Sequence, residues 1–137
     1  MEQQFRDCET HLEVIARSGE SWSRSEAAQA LDNLVEACER LGRDRILVDC
    51  TEVSPARNEM DRFHTGKAIA ATLGSRFKMA VVLGFPTSRF TEDVAVNRGA
   101  RMQLFQDREA ALTWLLASDR DVGSRPSQGK AESESQG

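Results

Sequence analysis

The sequence predicts an α/β fold: one domain with a mostly parallel four-stranded sheet built from four βα units. Three observations carry this. Short apolar runs at 12–16, 45–50, 78–83 and 102–105 are each followed by a helix-like stretch, beginning near Ser23, Met60, Thr91 and Asp107. Alternation of this kind predicts a parallel sheet backed by helices. Within the two middle runs, Ile46-Leu47-Val48 and Met79 to Leu83 are continuously apolar, as in strands covered by helices. Gly42, Gly74 and Gly99 stand where the helical stretches should stop, in the position that favours a left-handed residue.

The first strand is read at 8–17. His11, Glu13 and Arg17 interleave with Leu12, Val14 and Ala16, the period-two pattern of a half-buried strand at a sheet edge. Ser18-Gly19-Glu20-Ser21 is a turn. Ser23 and Glu26 form a capping box, with hydroxyl and carboxylate reaching each other's backbone amides. Ala27, Leu31, Leu34, Cys38 and Leu41 then recur at three and four, drawing one apolar stripe.

Ile46-Leu47-Val48 forms the second strand, and 51–59 is a loop around Pro55. The next helix, 60–73, places Phe63, Gly66, Ala70 and Leu73 on one face, widened by Ile69. Met79 to Leu83 forms the third strand, with Gly84-Phe85-Pro86 as its exit. Thr91 is positioned to cap a short helix whose first turn carries Glu92 and Asp93, the favoured charge there. The fourth strand, 102–105, is short and flanked by Arg101, which suits an edge. Asp107 caps the last helix, with Ala110, Ala111, Trp114 and Leu115 expected on its buried face.

The whole chain is 137 residues long, the size of one domain. The domain is expected over 1–117. Residues 118–137 have only Val122 and Ala131 as apolar members and read as a disordered polar tail, because too little apolar surface is available to offset ordering entropy. The net charge is -4, with both signs interspersed and no basic stripe, so nucleic acid is not an expected partner. No apolar run reaches the length of a membrane span, and the start lacks the apolar stretch of a signal peptide. The expected location is cytoplasmic. Cys8, Cys38 and Cys50 match neither a zinc site nor a redox pair; Cys38 and Cys50 read as small core residues.

With the elements placed, several stretches resemble SpoIIAA-like domains, the group that includes the STAS domains of anti-sigma-factor antagonists and is related in architecture to SEC14 lipid-binding domains. Val48-Asp49-Cys50-Thr51-Glu52-Val53 resembles the end of their central strand, and Met79-Ala80-Val81-Val82 the next strand. Residues 92–99 and 105–115 resemble small bacterial members ending in a Phe, an acidic residue, an Ala and Trp-Leu. The likeness spans roughly residues 12–116. It implies the fold above and a regulatory or interaction role. STAS antagonists carry a phosphorylated Ser or Thr after the central strand. The corresponding stretch here, Ser54-Pro55-Ala56-Arg57-Asn58-Glu59, has no hydroxyl at a matching helix start, so the phospho-switch does not carry over. Ser54 is the nearest hydroxyl.

In open parallel sheets, ligands sit beyond the carboxyl ends of the strands. Trp22, Phe85 and Phe90 gather there, an apolar mouth suited to a partner helix or small apolar ligand. Thr51 lies at the same end. Asp49, Asp61 and His64 form the one acid/base set, with Cys50 as a nearby nucleophile. No oxyanion device is legible, and the simpler roles are a turn for Asp49 and a surface pair for Asp61 and His64. Asn97 and Arg98, with Arg101, make a polar patch able to meet an anion; the simpler role is the last helical turn before Gly99. No metal site or cofactor is expected.

The expected function is therefore a non-enzymatic cytoplasmic interaction or regulatory module without a phosphorylatable serine motif, its partner a protein. A homodimer is compatible with the sequence. The alternatives are a carrier or sensor of a small apolar, lipid-like ligand and, third, an enzyme using Asp49, Cys50 and His64. A deep apolar cavity favours the carrier, a flat apolar patch the interaction module, and a converged Cys50–His64 pair the enzyme.

Overall fold

The computed structural model describes residues 2–18, 24–53, 59–85 and 90–117. They form a five-stranded mixed sheet and four helices. The strands are β1 (Glu2–Asp7), β2 (Leu12–Ser18), β3 (Arg45–Val53), β4 (Lys78–Leu83) and β5 (Arg101–Phe105). The helices are α1 (Arg24–Leu41), α2 (Glu59–Leu73), α3 (Phe90–Asn97) and α4 (Arg108–Leu116). Strand order follows the sequence from β1 to β5. β2 through β5 are parallel, and β1 pairs antiparallel with β2.

The sheet thus has five strands, one more than the sequence predicts, and β2 is an inner strand rather than an edge. The extra strand, β1, is exposed along almost its whole length. It is held by pairing and by anchors instead of by a buried face. The Gln3 amide donates to the Ala30 carbonyl at 3.3 Å and accepts from Asn33 at 3.0 Å. Arg43 grips the Asp7 carboxylate from two nitrogens, at 2.7 and 3.1 Å. That guanidinium, helped by the Glu9 amide, holds the Asp7 carboxyl below its usual range. The connection to β2 turns at Glu9, a non-glycine residue in the left-handed region at φ 70°.

Because each parallel neighbour in the sheet is also the next in sequence, and crossovers keep one hand, α1, α2 and α3 all fall on one face. Leu12, Val14, Ile46, Val48, Met79, Val81 and Met102 meet Leu31, Leu34, Cys38, Ile69, Leu73 and Ala95 in the main core there. The helices also pack on one another. Gly66, inside α2, meets α3 so closely that a Cβ would lie 2.8 Å from the Thr91 carbonyl oxygen and from Val94. A side chain at this position would push α3 off its seat.

Among the described residues, α4 alone covers the opposite face. Ala111 and Leu115 bury themselves on Leu47, Ala80 and Val82, with Phe105, Leu112 and Trp114 packed around them. Asp107 caps this helix as expected, its side chain accepting from the Glu109 amide at 3.1 Å. Ala110, expected in the buried face, is exposed. Trp114 is half-buried, with its ring centroid 5.8 Å from that of Phe105. At the far end of α4 the last carbonyls are met by cations. Lys78, 1% exposed, donates to the Trp114 carbonyl at 2.6 Å and to that of Ala117 at 3.2 Å. Arg45 donates to the carbonyls of Leu115 and Ala117. Positive charge at a helix carboxyl end opposes its dipole favourably.

The helix stops at Gly42, Gly74 and Gly99 stand as expected, with φ of 73°, 57° and 100°. Thr91 does not cap α3; the helix already includes Phe90. Thr51 to Val53, expected in the loop around Pro55, continue β3, and Glu59 opens α2; the rest of that loop, Ser23 of the expected capping pair and the expected tail lie outside the described residues.

Candidate functional site

Between the sheet and its three-helix layer the packing is incomplete. A cavity of about 200 Å³ lies there, reaching the carboxyl ends of β3 and β4. Its floor is Ala16, Val48, Cys50, Met79, Val81, Met102 and Leu104 from the strands. Ala27, Ala30, Leu31 and Leu34 of α1 and Ile69 of α2 form the roof, and Val53, Leu83 and Phe85 stand at the strand ends.

The origin of the space is legible in residue size. Ala16 on β2 and Ala27 and Ala30 on α1 all line it, as do Cys50 on β3 and Thr65 on α2. Small side chains opposite small side chains leave a gap that the backbone frame holds open, since interiors relax only partly around missing volume. Gly84 fixes the frame at the mouth. Its backbone sits so near β3 that a Cβ would lie 2.7 Å from the Thr51 carbonyl oxygen.

The polar atoms of the wall come from few residues. The Gln3 amide is already engaged by Ala30 and Asn33. The Thr65 hydroxyl donates to the Asp61 carbonyl at 2.8 Å. Asp61, Arg62 and Thr91 also line the space. Arg62 is half-buried and has no hydrogen bond or ion pair among the described residues.

The residues singled out from sequence are distributed as follows. Phe85 lies in the cavity wall. Phe90 opens α3, half-buried, and is not part of the wall. Thr51 is exposed; its amide and hydroxyl donate to the Asp49 carboxylate at 2.9 and 2.7 Å, a local turn. Asn97 and Arg98 form the exposed last turn of α3 before Gly99, and the Arg98 guanidinium lies 5.2 Å from the Phe63 ring centroid. Trp22 and Ser54 lie outside the described residues. No group of three or more metal-ligating side chains occurs among the described residues. None of the described helices is long and apolar enough to cross a membrane.

The acid/base set is split by the sheet. Consecutive strand residues point to opposite faces, so Cys50 faces the helix layer and Asp49 the other side. Burial pushes the Cys50 thiol up to about 12, which disfavours the nucleophilic thiolate. Cys38, also buried and unpaired, is pushed up to about 11. His64 stands on α2 with its ring edge against Phe63, centroids 5.6 Å apart. Comparison with known proteins adds no assignment. Neither a scan of protein-family profiles nor a search of curated proteins finds a match to this chain.

A second polar cluster occupies the other face, beside α4. The Glu13 side chain is buried, and it pairs with Arg108 and, at 3.8 Å, with Arg6. His11 is buried next to it. Its Nδ1 lies 2.9 Å from the Thr10 hydroxyl, while Nε2 has no hydrogen-bond partner among the described residues. Burial moves the His11 ring below its ordinary value, opposed by Glu13 and reinforced by Arg108 and Arg6. Sequence reading placed His11 and Glu13 on the polar side of an edge strand. The pairing of β1 and the reach of Arg108 enclose them instead.

Proposed function

We propose that the protein is a SpoIIAA-like, non-enzymatic module that holds a small apolar ligand between its sheet and its helix layer. The observation that supports this is the apolar cavity of about 200 Å³ at the carboxyl ends of β3 and β4. Ligand sites in open α/β sheets favour this end, and apolar walls with a few polar groups are their usual make-up. An apolar cavity of about 150 Å³ takes up benzene, so this space suits a body somewhat larger. The free state of all three cysteines fits a reducing, cytoplasmic setting. The separation of Asp49 from Cys50 argues against acid/base or nucleophilic chemistry by that set.

A second reading is a switch in which ligand occupancy is passed to a protein partner. Met60 favours it. This residue is 58% exposed on the first turn of α2, directly before Asp61 and Arg62 of the cavity wall.

The test uses a neutral apolar probe, 1-octanol, titrated by calorimetry into the full chain and into Ala30→Phe, which fills the cavity from α1. Saturable binding to the parent and none to the folded variant is the expected outcome. Equal uptake by both proteins, or no uptake by the parent, would reject the cavity as a ligand site.

A further inference from the structure

Arg62 points to the chemistry of the ligand's polar end. Its guanidinium carries five donors, accepts nothing and stays charged at any pH a protein meets. Arg62 as a residue is partly buried and lines the apolar space, and it has no hydrogen bond or ion pair among the described residues. Removing such a group from water without an acceptor is unfavourable. The other cations near α2 are differently occupied: Lys67 and Arg98 lie 5.4 and 5.2 Å from the Phe63 ring centroid. The one carboxylate of the wall among the described residues, Asp61, already has a partner. A planar fork of donors beside an apolar chamber is complementary to a carboxylate at the end of an apolar body.

We propose that the cavity takes an amphipathic monocarboxylate, with its alkyl or aryl body against Ala30, Leu34 and Val81 and its carboxylate on Arg62. This rests on the reading of the cavity as a ligand site. The volume fits an alkyl chain of about eight carbons, judged against the benzene-sized case. A charge-assisted hydrogen bond exceeds a neutral one by enough to give about a tenfold preference for the acid over its alcohol.

The experiment compares octanoate with 1-octanol at neutral pH and fixed ionic strength, by calorimetry, on the full chain and on Arg62→Gln and Arg62→Lys. Octanoate should bind the parent about tenfold more tightly than 1-octanol. Arg62→Gln should erase that preference while 1-octanol still binds saturably, which also shows that the cavity survives the substitution. Arg62→Lys should keep part of it, because the charge remains but the fork is lost. If 1-octanol binds the parent as well as octanoate does, or if the preference survives in Arg62→Gln, the carboxylate assignment fails while the apolar site stands. Binding of neither compound overturns the site and this inference with it.

Discussion

The two faces of the sheet are built on different terms. Among the described residues, one carries three helices and contains a cavity; the other carries a single nine-residue helix whose Ala111 and Leu115 pack onto the sheet. Coverage and packing are therefore separate properties. The three-helix layer is a consequence of connectivity, since crossovers of one hand between sequential strands return on the same side. Its helices also pack on one another, as α2 does on α3 at Gly66. α4 packs mainly on the strands among the described residues. It is free to sink until Ala111 and Leu115 reach the sheet, and Lys78 and Arg45 then fix its end.

That contrast yields predictions of decreasing size. Leu115 is fully buried beneath the one helix of its face. Leu115→Ala should cost about 2–5 kcal/mol, read from urea unfolding, and loss of less than about 1 kcal/mol would mean that α4 is a loose cover. The second test places the same bulk on each side. Ala111→Phe, on the filled face, should lose about 1–3 kcal/mol by overpacking. Ala30→Phe, into the cavity, should change stability little or raise it, as filling a void commonly does. Equal losses at the two positions would show that the space under α1 is not accessible to a side chain.

The smallest effect concerns His11 at the uncovered rim of the α4 face. Its folded value lies below the ordinary 6.5 because burial opposes the charged ring. Glu13 and Asp7 counter this, and Arg108 and Arg6 add to it. The sign follows from linkage. Above about pH 6.5 the ring is neutral in both states and the full stability is present. As pH falls below that value the unfolded chain binds a proton that folded His11 resists, so stability is lost. The urea midpoint of the parent should therefore fall more steeply between about pH 7 and about pH 5.5 than that of His11→Gln. Parallel curves would indicate that the ring is solvated.

The α/β class and the four βα units were legible because their signals are local. Period-two and continuous apolar runs, Asp107 and the three glycine stops each act within a turn or two of themselves. β1 was not legible. Glu2-Gln3-Gln4-Phe5-Arg6-Asp7 has almost no apolar face, and it becomes a strand only through β2, Arg43 and α1. The cavity was only half legible. Phe85 marked the end of the sheet that the cavity reaches, but the space is lined by small residues from different elements, Ala16 of β2 with Ala27 and Ala30 of α1. Arg62 carried no periodic signal at all; its significance comes from the wall in which it stands.

At the opposite border of the sheet, the buried Glu92 carboxylate on α3 accepts the Leu104 amide of β5 at 2.8 Å. An amide on a terminal strand is normally a docking point for a foreign strand, the first step of polymerisation. Here an intramolecular acceptor occupies it, so a newcomer would have to expel a carboxylate from a buried position before it could pair. Growth of the sheet into ribbons or fibres is thereby discouraged at β5, and the direction in which copies of this chain would add by strand pairing becomes one-sided, past β1.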